Sequence, residues 1–148
     1  MTLLREFGPQ LRSDRTADVA VVDHETDVAL VDDDPVLAAL VKRVMARQGY
    51  SVTWFEDGVA AVAALCQPTG HLKAKLILLD VSMPGLDGFG VLHYLQRDRV
   101  LAHSRVIMLT ASASEDDVRQ AISLGATGYL AKPLDIRILV DRVDRCLR

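Results

Sequence analysis

Four aspartates follow apolar runs at two places in the chain. Asp32, Asp33 and Asp34 come directly after "VALV" at 28–31, and Asp80 ends the run "LILL". Like charges so close together repel one another unless a positive group lies among them. Mg²⁺ is a hard cation that prefers oxygen ligands and keeps several waters. The aspartates are therefore candidate ligands of such an ion, provided that the fold brings the two runs together.

Two further polar residues end apolar runs later in the chain. Thr110 closes "VIML", and Lys132 closes "YLA" and precedes Pro133. Taken alone, Thr110 is an ordinary β-branched strand residue and Lys132 an ordinary surface lysine. Their interest depends on whether the segments that carry them lie beside the aspartates.

Strand and helix signals alternate strictly from residue 27 onward. The expected strands cover 28–31, 50–56, 74–80, 105–111 and 128–133, and the expected helices cover 34–49, 57–67, 89–98, 114–125 and 134–148. Asp34 fits the N-cap of the first helix better than a ligand position, because Pro35 suits the first helical residue. The alternation predicts an α/β fold with a parallel sheet and helices on both faces. Ligands bind beyond the carboxyl ends of such strands, so the polar residues named above are expected to converge there.

Composition narrows the functional classes. The 148 residues suit one domain, half of them are apolar, and the formal net charge is −3. We therefore expect no direct nucleic-acid binding, which would call for a basic surface. No apolar stretch approaches the roughly 18 residues of a membrane span, and no signal peptide is evident. The two cysteines lack metal-type spacing, so a cytoplasmic protein with reduced thiols that does not bind membranes is expected.

Four segments taken together resemble the receiver domain of two-component response regulators. They are "LVDDDP", "LILLDVSMPGLDG", "VIMLTA" and "YLAKP". The gaps of 47, 30 and 22 residues between Asp33, Asp80, Thr110 and Lys132 suit that family. The resemblance covers about 27–148 and implies a flavodoxin-like, doubly wound (βα)5 fold with a five-stranded parallel sheet in the order 2-1-3-4-5. That order places strands one and three side by side.

The resemblance implies that Asp80 accepts a phosphoryl group from a histidine kinase or a histidine phosphotransfer protein. Lys132 and Thr110 would bind the phosphoryl oxygens, and a Lys-Pro peptide that is usually cis in this family would aim the lysine into the pocket. The chain would assist its own phosphorylation and dephosphorylation without being an enzyme in the usual sense.

The resemblance also assigns the metal ligands and the residues around them. Asp33 and Asp80 would bind Mg²⁺ directly, Asp32 would act largely through water, and the backbone carbonyl of Ser82 would be the third protein ligand. Ser82 and Ser112 occupy positions that tune the lifetime of the phosphoryl group in this family.

Phosphorylation in this family is read through a change in packing. By resemblance, the Thr110 hydroxyl moves toward the phosphoryl group and Tyr129 rotates into the vacated space. This repacks a face made of helix four, strand five and helix five, which would bind a downstream protein. Without that role, Tyr129 would be a half-buried strand aromatic with a hydrated hydroxyl. Only sixteen residues follow Lys132, so we expect a single-domain receiver.

Alternative functions stay open to different degrees. A phosphatase of the haloacid-dehalogenase type needs a second acid two residues after its nucleophile, and Ser82 stands there instead. A nucleotide or flavin binder needs a glycine-rich loop after strand one, whereas "DDDP" repels phosphate. The more serious alternative is a pseudo-receiver, which would act as a protein interaction module without being phosphorylated.

Residues 1–26 form an amino-terminal extension that does not fit the alternation. It contains a second valine-rich run, "VAVVD" at 19–23. A hairpin with strand one conflicts with the order 2-1-3-4-5, because strand one already has two neighbours. Disorder, loose packing and pairing at an outer sheet edge are the alternatives, and pairing with a second copy would make a homodimer.

Overall fold

The computed structural model describes residues 24–112 and 114–148, which fold around a five-stranded parallel sheet in the order β2-β1-β3-β4-β5. The strands are β1 (His24–Val31), β2 (Val52–Phe55), β3 (Leu72–Asp80), β4 (Arg105–Thr110) and β5 (Gly128–Ala131). The predicted fold class and strand order are thereby confirmed. Val31 pairs with Leu79 in the register of β1 and β3. The residues that follow β1 consequently lie beside Asp80.

The described α-helices each begin at a capping side chain. They are α1 (Pro35–Arg47), α2 (Gly58–Leu65), α3 (Gly88–Arg97), α4 (Glu115–Ser123) and α5 (Ile136–Leu147). Each cap accepts an N–H from the first turn of its helix; the caps are Asp34, Asp57, Asp87, Ser114 and Asp135. The Asp34 carboxylate accepts from the Val36 N–H at 2.9 Å, as expected of a helix cap. A short 3₁₀ helix, Val100–Ala102, was not predicted.

Both faces of the sheet are covered, which explains why β3 is apolar on both sides. One face packs against α1 and α5, with Leu30, Leu78 and Leu109 pointing into that core. The other packs against α2, α3 and α4, and it receives the alternate residues Val31 and Leu79. The polar residues at the carboxyl ends of the central strands therefore extend from a part of the sheet that is packed on both faces.

Strand β1 begins earlier than the sequence predicted. His24 pairs with Leu72, and its N–H donates to the His71 carbonyl at 2.9 Å. Residues 24–26, which we had assigned to the extension, therefore belong to the sheet, because a backbone ladder does not require apolar side chains. The valine-rich run at 19–23 lies outside the described residues. Within the described residues, no helix is long and apolar enough to cross a membrane.

Candidate functional site

Three carboxylates meet at the carboxyl ends of β1 and β3. One oxygen from each of Asp32, Asp33 and Asp80 lies within 4.8 Å of the others. Asp32 is 0% exposed and Asp80 4% exposed, whereas Asp33 faces solvent. The structure therefore brings together the three aspartates that the sequence predicted would share a pocket.

Lys132 reaches into the same cluster. Its Nζ lies 2.8 Å from Asp32 Oδ2 and 3.2 Å from Asp80 Oδ1. The Lys132 backbone N–H donates to the Thr110 carbonyl at 2.7 Å, and the Lys132–Pro133 peptide is cis. The ammonium thus bridges two carboxylates that come from different strands.

Burial and charge in this cluster shift the pKa of Asp80 and that of Lys132. Burial raises the pKa of Asp80, the charge of Asp32 raises it further, and Lys132 offsets part of the rise. Burial favours the neutral form of Lys132, but hydrogen bonding and charge from Asp32, with a further contribution from Asp80, outweigh this and raise its pKa. The lysine is therefore a cation at neutral pH. The cluster holds three carboxylates and one ammonium, which contacts two of them, and the surplus negative charge suits a divalent cation.

The carboxylates differ in how free their oxygens are. Asp32 Oδ1 accepts the Asp34 N–H at 2.9 Å, and Asp32 Oδ2 faces Lys132. In the described part of the chain, the Asp33 carboxylate has no hydrogen-bond partner, and no hydrogen bond reaches Asp80 Oδ2. The oxygens of Asp33 and Asp80 are therefore less engaged within the protein than those of Asp32. This all-oxygen set fits Mg²⁺.

Ser82 and Thr110 lie next to the aspartate cluster, and only Ser82 is hydrogen-bonded to it. The Ser82 N–H donates to Asp80 Oδ1 at 3.3 Å. The Thr110 hydroxyl donates to the Ser112 carbonyl at 2.8 Å and accepts from the Ser112 N–H at 3.1 Å. Thr110 is therefore engaged with its own loop here rather than with Asp80.

Tyr129 has its hydroxyl inside the protein. The Oη atom is buried and makes no hydrogen bond within the described residues. Burial raises the pKa of this phenol, Asp117 adds to the rise, and the nearby Thr110 side chain offsets part of it. Tyr129 is half-buried in β5, as its purely structural interpretation expects, but its hydroxyl is buried rather than exposed to water.

Two residues that support the site were missed in the sequence. The Trp54 Nε1–H donates to the Asp32 carbonyl at 2.7 Å. Gly88 lies so close to the Asp80 backbone that a Cβ there would collide with the Asp80 carbonyl and come within 2.7 Å of Val81 Cα. An indole N–H needs a partner when buried, which was the available signal for Trp54.

The sequence matches the response regulator receiver domain family over residues 28–144. The chain therefore belongs to this family, whose members are signalling modules of two-component systems and are typically phosphoproteins that bind Mg²⁺. The predicted family is confirmed.

Several curated proteins are similar to this chain. The transcriptional regulator RpaA of Synechocystis is 37% identical over 82% of this chain and 48% of its own length, and CpxR of Klebsiella pneumoniae is 39% identical over 82% and 49%. The probable methanogenesis regulatory protein FilR2 of Methanothrix harundinacea is 33% identical over 87% of this chain and 86% of its own length. The chain spans about half the length of RpaA and CpxR.

Solved structures share the architecture. The chemotaxis protein CheY4 of Vibrio cholerae superposes with a TM-score of 0.71 at 26% identity, covering 85% of this chain and all of that one. The receiver domain of the Francisella response regulator 1452 gives a TM-score of 0.71 at 28% identity, covering 82% and 96%.

Proposed function

We propose that Asp80 accepts a phosphoryl group from a histidine kinase or a histidine phosphotransfer protein, with Mg²⁺ held by Asp33 and Asp80. The observation that carries this proposal is the asymmetry of the Asp80 carboxylate. Its Oδ1 is fixed by Lys132 and the Ser82 N–H, whereas no hydrogen bond reaches its Oδ2 within the described residues. One oxygen is thus oriented and the other is available to react.

The transfer requires little from the protein beyond position and charge. Asp80 Oδ2 attacks phosphorus, the bond between phosphorus and the donor imidazole nitrogen breaks, and the electron pair stays on that nitrogen. The Lys132 ammonium neutralises a phosphoryl oxygen, and the Thr110 hydroxyl leaves Ser112 to donate to another. A bound Mg²⁺ would supply further positive charge through its Asp33 and Asp80 ligands, with the Ser82 carbonyl as a proposed third ligand.

A groove beside Lys132 supports docking of the phosphodonor. It has a volume of about 450 Å³ and runs between α1 and the loop after β5, with Val36 and Leu40 on one side and Pro133 and Leu134 on the other. Val36 is 76% exposed and Leu40 40% exposed, and adjoining exposed apolar side chains are typical of a surface that binds a partner. An apolar helix surface of a histidine-containing donor would cover these residues and bring its imidazole to Asp80.

Readout of the phosphoryl group is assigned to Thr110 and Tyr129. The buried Tyr129 hydroxyl has no partner in the described residues and lies near Thr110, so a movement of Thr110 changes its surroundings directly. We propose that this movement alters a face formed by α4, β5 and α5, which binds a downstream protein in the cytoplasm. Ser82 and Ser112 are both exposed beside the site and would set the lifetime of the phosphoryl group. Residues 1–23, the part of the predicted 1–26 extension that precedes β1, remain assigned to an extension of the receiver.

The proposal is tested by incubation with acetyl phosphate and Mg²⁺ followed by intact-mass measurement. The parent protein and an Asp34→Ala variant should both gain one phosphoryl group, since Asp34 acts as a helix cap. Asp80→Asn should gain none. Labelling that persists in Asp80→Asn would identify a different acceptor, and an unlabelled parent would favour a pseudo-receiver that works without phosphorylation.

A further inference from the structure

The single tryptophan of the chain is bonded to the backbone of the site. Trp54 is half-buried in β2, and its indole N–H donates to the Asp32 carbonyl at 2.7 Å. The Asp32 N–H in turn donates to the Phe55 carbonyl at 3.1 Å. Both backbone groups of Asp32 are therefore held by β2.

The indole replaces a missing backbone donor. In a parallel ladder the next N–H to reach the Asp32 carbonyl would be that of Asp57. However, β2 ends at Phe55 and Asp57 caps α2. The Asp32 carbonyl would otherwise lack a donor from β2 at this point, and the Trp54 side chain supplies one.

This carbonyl belongs to the planar peptide group that joins Asp32 to Asp33. The Asp33 side chain has no hydrogen-bond partner of its own in the part of the chain that the structure describes. The position of its carboxylate therefore depends on its backbone, and the backbone depends on the orientation of that peptide plane. On the outer side of the ring, Lys42 Nζ of α1 lies 5.3 Å from the centre of the indole and makes no contact with its N–H.

We propose that Trp54 is a positioning residue for divalent-cation binding: its indole N–H fixes the Asp32–Asp33 peptide and thereby keeps the Asp33 carboxylate close to Asp80. This inference rests on the proposed Mg²⁺ site. Trp54 does not touch the cation, and its effect is exerted through the backbone.

The test compares Mg²⁺ affinity in the parent, Trp54→Phe and Lys42→Met, measured by titration with Mg²⁺ alone and followed by the ¹H–¹⁵N spectrum. Phenylalanine keeps an aromatic ring but lacks the donor. Loss of the one hydrogen bond that positions the Asp33 carboxylate should weaken Mg²⁺ binding by about three- to tenfold. Lys42→Met removes the cation over the ring and leaves the N–H in place, so its affinity should equal that of the parent. A purely structural role for Trp54 would lower the unfolding midpoint without changing Mg²⁺ affinity in the folded protein.

The parent protein offers a second measurement that needs no substitution. Its one indole N–H signal should exchange slowly with solvent and shift during the Mg²⁺ titration with the same midpoint as the Asp33 amide. If the parent and Trp54→Phe bind Mg²⁺ equally well, the proposed role of Trp54 is wrong but the proposed Mg²⁺ site stands. A parent that does not bind Mg²⁺ would overturn both. If Trp54→Phe does not fold, an indole signal that ignores Mg²⁺ would still refute the inference.

Discussion

Replacing Lys132 by methionine should expose how much the aspartate cluster depends on its one ammonium. Methionine keeps most of the length of the side chain and removes the charge. In the parent, Lys132 Nζ contacts Asp32 at 2.8 Å and Asp80 at 3.2 Å. The variant leaves two buried carboxylates without a cationic partner in the described part of the protein.

The expected loss of stability follows from the burial of the ion pairs that Lys132 makes. Removing one partner of a buried ion pair typically costs about 3–5 kcal/mol. The Lys132 side chain is 23% exposed, so water and added protons can compensate in part. We therefore expect the unfolding free energy to fall by about 2–3 kcal/mol at neutral pH without divalent cations. Mg²⁺ should stabilise the variant more than the parent, because in the variant the cation no longer competes with the ammonium for the carboxylates. A Mg²⁺ concentration of ten times the dissociation constant adds about 1.4 kcal/mol to the unfolding free energy.

Acidification should also reduce the loss of unfolding free energy caused by Lys132→Met. The pKa of Asp80 is already raised by burial and by Asp32, and loss of Lys132 removes the larger of the two groups that oppose this rise, the other being the Ser82 N–H. The folded variant then takes up protons at a higher pH than its unfolded chain does, and such a group adds stability as the pH falls through its folded pKa. The difference between variant and parent should narrow on going from neutral to mildly acidic pH.

Urea unfolding followed by far-ultraviolet circular dichroism, with EDTA or with Mg²⁺, measures these quantities. Lys75→Met is the matched control, since Lys75 Nζ lies 3.4 Å from Asp27 but its side chain is 64% exposed. An exposed pair of this kind contributes less than about 1 kcal/mol. If Lys132→Met in EDTA loses no more stability than Lys75→Met, the ammonium does not neutralise the cluster and the reasoning fails.

Three further outcomes test the environments of single side chains. Tyr129→Phe should raise the unfolding free energy by up to about 1 kcal/mol in urea, because it removes a buried hydroxyl without a partner; a loss would show that the phenol is bonded. Gly88→Ala should lower stability by about 1–3 kcal/mol and slow labelling by acetyl phosphate, because its Cβ collides with the Asp80 carbonyl; parent-like values for both would contradict the clash. Burial raises the pKa of Cys66 to about 11, so an aromatic disulfide reagent at mildly alkaline pH should modify Cys146 in the native protein and Cys66 only after unfolding; equal rates would argue against burial of Cys66.

The fold and the aspartate cluster could be predicted because their signals are local. Alternating periodicities mark each strand and helix, and the apolar run before Asp80 marks a central strand. Asp34 was separable from its neighbours because Pro35 starts a helix there. Asp32 and Asp33 then had no local use, and that surplus of charge pointed to a shared site.

The remaining features depend on distances that a sequence does not contain. Trp54 bonds to a carbonyl 22 residues earlier, and only the register of β1 against β2 creates that contact. The Tyr129 hydroxyl is buried near Thr110, and no pattern around "GYLAKP" reveals this. The first residues of β1 are polar and pair through their backbone alone, so periodicity could not detect them.

The strand order gives Lys132 a role that its contacts alone do not show. It follows β5, yet it contacts Asp32 at the end of β1, with β4 and β3 lying between those two strands. The ion pair therefore connects an edge strand to the centre of the sheet. On the proposed function, a phosphoryl group on Asp80 attracts the same ammonium and so competes with Asp32 for it. Any resulting shift of Lys132 acts on the strand that carries Tyr129, three residues earlier, and this offers a direct mechanical path from the site to the face formed by α4, β5 and α5.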